Sequence, residues 1–365
     1  MKLVENIKAI LLGDTSKTTP PQRTKRLSHD IKRNYQYRVE LNLNEFKVAI
    51  DSAEMQGYYN RKLLYQIYEQ ILKDSHLASQ IRTAKAKVIN QEILISKYGE
   101  KDIESTALLE TPWFNDFVDL AMDVEYWGHS LIEFGRLNDK GRFDKVELIP
   151  RLNVRQEHGV IVDDYDSEKG IDYRTHATRF ALLEFGDPYD LGLLELAAKE
   201  VIVKNYARTD WSQASEKYGM PLLKILTESQ DYNEIDKMEA MAANFGSNGY
   251  VILNKNDDAE IIQADRKFSK IYQEHISLCD SQISKLINGQ ASTSDEKSYK
   301  GAAGVHERLL GRYTKARLRS IQHLVNGRLI PFLIAWGYPL SGCRFSYQAL
   351  ASNRAHRTFI KFGDS

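Results

Sequence analysis

Apolar and polar positions follow two different periods along this chain, and the period changes from region to region. From Leu43 to Lys97 it is mostly helical: Leu63, Leu64, Ile67, Tyr68, Ile71 and Leu72 recur at three and four residues, which marks one buried face. Ile81, Ala84 and Val88 continue that spacing, and Gln91 to Ser96 turns strand-like. Trp113 to Trp127 is helical again, with Phe114, Phe117, Val118 and Ala121 on one side. A strand-rich block follows. Its runs are Ser130 to Phe134, Lys145 to Ile149, Asn153 to Arg155, Gly159 to Val162 and Phe180 to Leu183, punctuated by turn residues such as Asn138-Asp139-Lys140-Gly141. Helical spacing returns from Leu191 to Gly219, a span of roughly 40 Å if unbroken. Gly219-Met220-Pro221 ends it. Then come a short strand Leu222 to Leu226, a helix Tyr232 to Phe245, and strands Tyr250 to Leu253 and Ala259 to Ile262. Phe268 to Ile287 and Val305 to Leu329 are the last long helices, the second predicted to stop at Pro331. The mixture predicts an α+β fold.

The helical faces suggest what each element meets. Leu194, Ala197, Ala198, Val201, Ile202, Asn205, Trp211 and Ala214 are placed to face a partner, with the two alanines allowing close approach. The next helix offers Ile235, Met238, Met241 and Ala242 at helical spacing. Such a hairpin can pack laterally in an assembly; an ordinary helix pair in one core has the same pattern. The helix from Val305 carries Arg308, Arg312, Lys315, Arg317 and Arg319 opposite Leu309, Leu310, Tyr313, Ala316, Ile321 and Leu324. That basic face either attracts phosphates or another subunit, or is simply solvated and paired.

Composition narrows the classes. The chain has 365 residues with 42% hydrophobic content, ample for a buried core in two or three domains. Basic and acidic residues balance at 50 each, without the basic excess of a protein that coats nucleic acid. Cys279 and Cys343 lie far apart and build no disulfide framework. No apolar run reaches membrane-spanning length, and the short apolar patch in the first residues does not make a signal peptide. Thr15 to Arg33 holds Pro20-Pro21 and Lys17, Arg23, Lys25, Arg26, Lys32 and Arg33 with few apolar anchors, so residues 1–35 read as an arm, solvated or bound to a partner.

Enzyme signatures do not surface. Walker A, H-E-x-x-H, G-x-S-x-G and G-x-G-x-x-G patterns are lacking. Asp163, Asp164, Asp166 and Glu168 fail as an EF-hand, because Lys169 and Thr175 stand where glycine and glutamate are required. His129 reads as a hydrogen-bonded histidine at a strand start, with a catalytic base as the sharper alternative. Glu184, Asp187 and Asp190 have the residue types of a two-metal nuclease site, but Asp190 is also a candidate helix N-cap.

In their order, several motifs resemble the portal proteins of tailed bacteriophages, most closely the Mu-like branch. They are Tyr126-Trp127-Gly128-His129-Ser130-Leu131-Ile132-Glu133, Glu147-Leu148-Ile149-Pro150-Arg151, and Phe185-Gly186-Asp187-Pro188-Tyr189-Asp190-Leu191-Gly192. Trp211 with Glu216-Lys217-Tyr218-Gly219-Met220-Pro221, then Asn288-Gly289-Gln290, Ala303-Gly304-Val305-His306 and Asn326 with Leu329-Ile330-Pro331 complete the set. The resemblance implies a portal-like fold: a mixed α/β wing, a helical-hairpin stem, a short β clip and long C-terminal helices. It implies borders at 1–35 for the arm, 36–190 for the first wing part, 191–245 for the stem (helices 191–219 and 232–245), 220–229 for the clip, and 246–365 for the rest. It also implies a ring, typically of twelve subunits, at one capsid vertex of a virion assembled in the bacterial cytoplasm. Double-stranded DNA would pass through without sequence specificity; the terminase large subunit, capsid or scaffold protein and neck or tail adaptors would be partners. Met220, Pro221, Lys224 and Thr227 would meet the motor or adaptor. No cofactor, metal or catalytic residue is implied. A metal-dependent nucleic-acid enzyme and a non-channel capsid adaptor are the competing readings.

Overall fold

A computed structural model describes residues 41–138, 141–167, 169–175, 180–218, 222–226, 231–243, 258–262, 267–289 and 300–348. The arm, the strand expected at Tyr250 to Leu253, and Glu168, Met220, Pro221 and Thr227 lie outside the described residues. The chain divides into two compact units. One holds the described residues up to Ile202 and from Asp280 onward; the other is Val203–Cys279.

In chain order the elements are α1 (Leu43–Glu54), α2 (Lys62–Ile71), α3 (Ser75–Ile89), β1 (Ile93–Lys97), β2 (Glu100–Lys101), α4 (Ile103–Leu109) and α5 (Pro112–Trp127). Then come β3 (His129–Phe134), β4 (Val146–Leu148), β5 (Val154–Arg155), β6 (Val160–Ile161), β7 (Ile171–Asp172) and β8 (Leu182–Gly186). The rest are α6 (Leu193–Tyr218), β9 (Leu222–Leu226), α7 (Tyr232–Ala243), β10 (Asp258–Ile262), α8 (Lys267–Asn288), α9 (Lys300–Leu324), a π turn (Val325–Leu329), α10 (Ile330–Ala335) and β11 (Cys343–Tyr347). Local chemistry sets several starts. Asn42 accepts from Glu45 N at 2.8 Å, Asp74 from Leu77 N at 3.0 Å and Asp102 from Ser105 N at 3.0 Å, each satisfying an orphan N–H of a first turn. Pro112 opens α5, where its missing N–H costs nothing.

Among its described residues the first unit carries three small antiparallel sheets, ordered β11-β1-β2, β4-β3-β8 and β5-β6-β7. β3 is buried along its whole length. One core packs α5 and β3 against the C-terminal elements through Trp113, Phe117, Phe134, Phe143, Phe332 and Phe345. A second core joins α1, α2 and α3 to the start of α6, and includes Ile283 and Ile287. Leu194, Ala197, Ala198, Val201 and Ile202, whose spacing fits either a partner or one core, are all buried in this core of the same chain. Helical periodicity reports that a face is covered and says nothing of whose residues cover it.

One expectation changes. The long basic helix does not stop at Pro331. Proline cannot donate to the carbonyl four residues back, and an ordinary helix would break there. Here the backbone widens into the π turn, with Ile330 N–H bonding Val325 O, and α10 resumes with Pro331 in its first turn. Gly327, four residues before the proline, is exposed, so water can satisfy its carbonyl.

In the second unit β9 and β10 form an antiparallel pair, from Asp258 opposite Leu226 to Ile262 opposite Leu222. Met238 of α7 is buried, and Ile235 is half exposed. The described residues from Asp258 to Cys279 fall in this unit, whereas the sequence grouped them with the last part of the chain.

Candidate functional site

Two of the motifs that carry the family resemblance meet where α6 begins. Gly128 ends α5 with φ +78°, Gly186 ends β8 with φ +92°, and Gly192 precedes α6 with φ +73°. All three lie in the left-handed region, where a side chain is strained. They also touch backbone to backbone. A Cβ on Gly128 would sit 2.0 Å from Asp190 O, on Gly186 2.1 Å from Gly128 O, and on Gly192 2.3 Å from Tyr126 O. The start of α6 is thereby fixed against the end of α5 and the edge of the sheet.

Arg61 closes this junction from the other side. It is only 1% exposed. Its Nη1 donates to Asp190 O at 2.8 Å and its Nη2 to Pro188 O at 2.6 Å, while Nε pairs with Glu157 at 2.9 Å. Tyr68 OH donates to Leu191 O at 3.0 Å. Burial pushes the Glu157 carboxyl upward and the Arg61 charge pulls it back only in part. Beside it, Arg151 lies over the Trp127 ring, 4.3 Å from its centroid, and donates to the His129 carbonyl.

Of the titratable residues singled out by sequence, His129, Glu184, Asp187, Asp190 and Asp166 are engaged in positioning. His129 Nε2 stands 3.0 Å from Glu184 Oε1, and burial lowers its pKa despite that carboxylate. Glu184 also accepts from Tyr173 OH at 2.7 Å and from Arg174 Nε at 3.0 Å. Burial opposes its charge, but the bonds from His129, Arg174 and Tyr173 prevail and bring it to about 2. Asp187 Oδ1 accepts from Tyr189 N at 2.8 Å and Asp190 Oδ1 from Gly192 N at 2.9 Å. Asp190 therefore shapes the turn before α6 and does not occupy the N-cap itself, which falls two residues later. Asp166 of the acidic turn accepts from Lys62 Nζ at 2.7 Å, tying its loop to α2. Among the described residues no group of three or more His, Cys, Asp or Glu is arranged to hold a metal. Among them, too, no helix is long and apolar enough to cross a membrane.

The basic stripe divides. Arg312, Lys315 and Arg319 are exposed at three- and four-residue spacing, and His323 continues their line. Arg308 lies in the same helix by its backbone. Arg317 departs from the expectation: it is buried, donates Nε to Glu125 Oε2 and Nη2 to Glu125 Oε1, both at 2.7 Å, and reaches Ile287 O. It bridges α9, α5 and the end of α8 within one chain. Of the residues assigned to the clip, Lys224 lies in β9 opposite Glu260.

Arg61, Glu157 and Asn326 were not singled out individually as site residues by sequence. Arg61 clamps a loop 129 positions away, and no local pattern separates it from other arginines. Asn326 did lie in a quoted motif. Its side chain donates to Phe345 O and accepts from Phe345 N, both at 2.8 Å, capping the open edge of β11.

Known proteins supply the remaining comparison. No curated protein sequence matches this chain. A chain in the virion of a native gene transfer agent particle is similar in fold, with TM-score 0.56 and 13% identity over 88% of this chain and 95% of that one. A chain in the neck of the native gene transfer agent particle, computed with C12 symmetry, gives TM-score 0.50 and 13% identity over 89% and 95%. The crystal structure of an HK97 family phage portal protein from Corynebacterium diphtheriae gives 0.44 and 14% over 78% and 96%. The sequence profile described as portal protein of Mu bacteriophage matches residues 65–356. That match takes in most of the chain, including both motifs of the glycine junction, the basic helix and the π turn, and the chain belongs to the Mu-type phage portal protein family.

Proposed function

We propose that copies of this chain assemble into a ring at one capsid vertex, around a channel that DNA enters during packaging and leaves at ejection. The observation that carries the reading is the family match over residues 65–356. A ring of twelve is supported by the C12 symmetry of the gene transfer agent neck whose chain shares this fold. In this reading α6 and α7 form the stem, β9 with the residues around it forms the clip, and the remainder forms the wing. Met220, Pro221, Lys224 and Thr227 would then meet the terminase or the neck adaptor. Capsid or scaffold protein would surround the ring, assembled in the host bacterial cytoplasm. The protein itself catalyses no reaction; the motor supplies ATP hydrolysis.

Balanced charge suits a conduit, since a uniformly basic wall would hold DNA through counterion release. Arg312, Lys315 and Arg319 are the exposed cations best spaced for passing phosphates or for a neighbouring subunit. Mass photometry and negative-stain class averages of the purified protein test the ring. Closed rings of about twelve copies are expected. A protein that stays monomeric at every concentration, with and without scaffold protein, would refute it. Replacing Arg312, Lys315 and Arg319 by glutamine then separates the two roles of the stripe: rings that form but hold DNA less well in low salt indicate phosphate contact, and lost rings indicate subunit contact.

A further inference from the structure

A groove between the end of α3 and the start of α5 takes no part in the junction or the basic stripe. It encloses about 410 Å³. Ile89, Ile93, Leu109, Phe114 and Val118 give it an apolar floor, and the exposed Glu92 and Glu110 stand on its rim. Two hydroxyls on its wall, those of Thr111 and Tyr347, are shielded from solvent and lack a hydrogen-bond partner among the described residues. Tyr347 is only 1% exposed. Buried hydroxyls are normally paired, so this wall has unused hydrogen-bonding capacity.

Ile93 opens β1 at the groove, and the far end of the same strand carries the opposite shape. There β1 turns into β2 through Tyr98-Gly99, with Lys97 opposite Glu100. Tyr98 is 88% exposed, and Ile103, at the start of α4, is 82% exposed. Tyr98 also has φ +52°, the one positive value outside glycine among the described residues. Asn, Asp or Gly would hold that place in a two-residue turn with less strain. A ring so placed strains the backbone and buries almost nothing within its own chain, which is the mark of a residue kept for a contact elsewhere. We propose that Tyr98 of one copy of this chain plugs the groove of the next. The ring and Ile103 meet the apolar floor, and the Tyr98 hydroxyl pairs with that of Thr111 or Tyr347, as a buried phenol requires. The exposed Lys97 and Lys101 face Glu92 and Glu110 on the rim. Glu100 and Glu104 are exposed beside the plug too, so the charges orient it and add little net attraction. From Ile93 to Tyr98 the strand spans about 16 Å at roughly 3.3 Å per residue, which holds a chain's plug away from its own groove. Unlike surfaces joined head to tail in this way generate a ring when the rotation closes. The proposal rests on the ring reading and names its subunit contact.

The test uses the full chain with photo-reactive benzoylphenylalanine in place of the exposed Asn115 on the groove wall. Light and heavy isotope-labelled proteins are mixed before assembly, sized by mass photometry and irradiated. Cross-links to residues 97–103 are expected, joining light to heavy chains as freely as like to like. Cross-links confined to one chain, or none to residues 97–103, would overturn the proposal. Tyr98→Gly removes the plug and relieves the strain. It should leave the melting temperature of the unassembled chain unchanged or higher, yet raise the concentration for half-assembly at least about tenfold. Assembly at the wild-type concentration would overturn the proposal. Glu92→Lys/Glu110→Lys should lower the cross-link yield, and adding Lys97→Glu/Lys101→Glu should restore it. An unchanged yield in the first variant, or no recovery in the second, refutes the charge pairing. Rings without the cross-link would overturn this contact and leave the ring standing. Cross-linked chains that never close would uphold the contact and overturn the ring, and unlinked monomers at every concentration would overturn both.

Discussion

Replacing Arg61 by methionine tests the junction at its most exposed-to-failure point. The guanidinium is buried with three partners: the carbonyls of Pro188 and Asp190, and a Glu157 carboxylate whose side chain is likewise 1% exposed. Breaking a buried ion pair from one side leaves an uncompensated charge, at a cost of about 3–5 kcal/mol. Freeing two buried carbonyls adds about 1–3 kcal/mol more. The double variant Arg61→Met/Glu157→Leu removes the stranded charge and should recover the larger share, leaving roughly the 1–3 kcal/mol of the carbonyls. The pH dependence gives an independent reading. Burial already raises the Glu157 pKa in the fold, so its ionisation disfavours the native state; that stability is present at low pH and falls as pH rises from the unfolded value near 4.5. Without Arg61 the carboxyl rises further. The penalty of Arg61→Met should therefore be smaller at pH 5 than at pH 7. Urea denaturation of the wild type, the single and the double variant at both pH values is the assay. A single variant that loses less than about 1 kcal/mol, or a double variant no more stable than the single, would refute the reasoning.

Three further perturbations follow from the same geometry. Gly128→Ala should melt well below Gly57→Ala: both glycines have positive φ, worth about 1–2 kcal/mol of strain each, but only Gly128 has a carbonyl where the Cβ must go; equal melting shifts would show that close packing adds nothing. Asn326→Ala should lower stability by about 1–3 kcal/mol by orphaning both backbone groups of the buried Phe345, and light scattering should register self-association through the uncapped β11 edge; an unchanged urea midpoint would count against the cap. Glu184 is held at about 2 in the fold against an ordinary value of 4.5, so its contribution is present above pH 4.5 and is lost as pH falls toward 2. The lowered His129 pKa acts in the same direction, starting from its ordinary value near 6.5. Glu184→Gln should flatten the acid limb of a melting-temperature profile, and an identical limb would remove Glu184 as its source.

Much of the secondary structure was legible from periodicity. The strand Leu222–Leu226 was read to the residue, and the helix read from Trp113 begins one residue earlier, at Pro112. These elements announce themselves because apolar spacing and flanking glycine or proline agree. What the sequence left open shares one cause: the information was not local. The buried face of α6 fitted a docking face as well as a core, because its cover comes from residues near 65 and near 285. Arg317 looked like its basic neighbours until Glu125 was brought beside it. The junction was visible only as two glycine-containing motifs, and their contact arises from tertiary structure.

The π turn has a consequence for how this part of the chain tolerates change. One extra residue in a turn rotates everything downstream by about 100° relative to an uninterrupted helix. The exposed line of Arg312, Lys315 and Arg319 is thus out of phase with Phe332, Leu333 and Trp336, which sit in the core. Deleting Gly327, whose surroundings are open, would restore the ordinary repeat and swing those three side chains off their seats while leaving the charged line in place. The turn behaves as a phase shifter. Substitutions on the outer surface of α9 can accumulate without consulting the core beyond it, whereas a change in length of a single residue between Leu324 and Pro331 cannot.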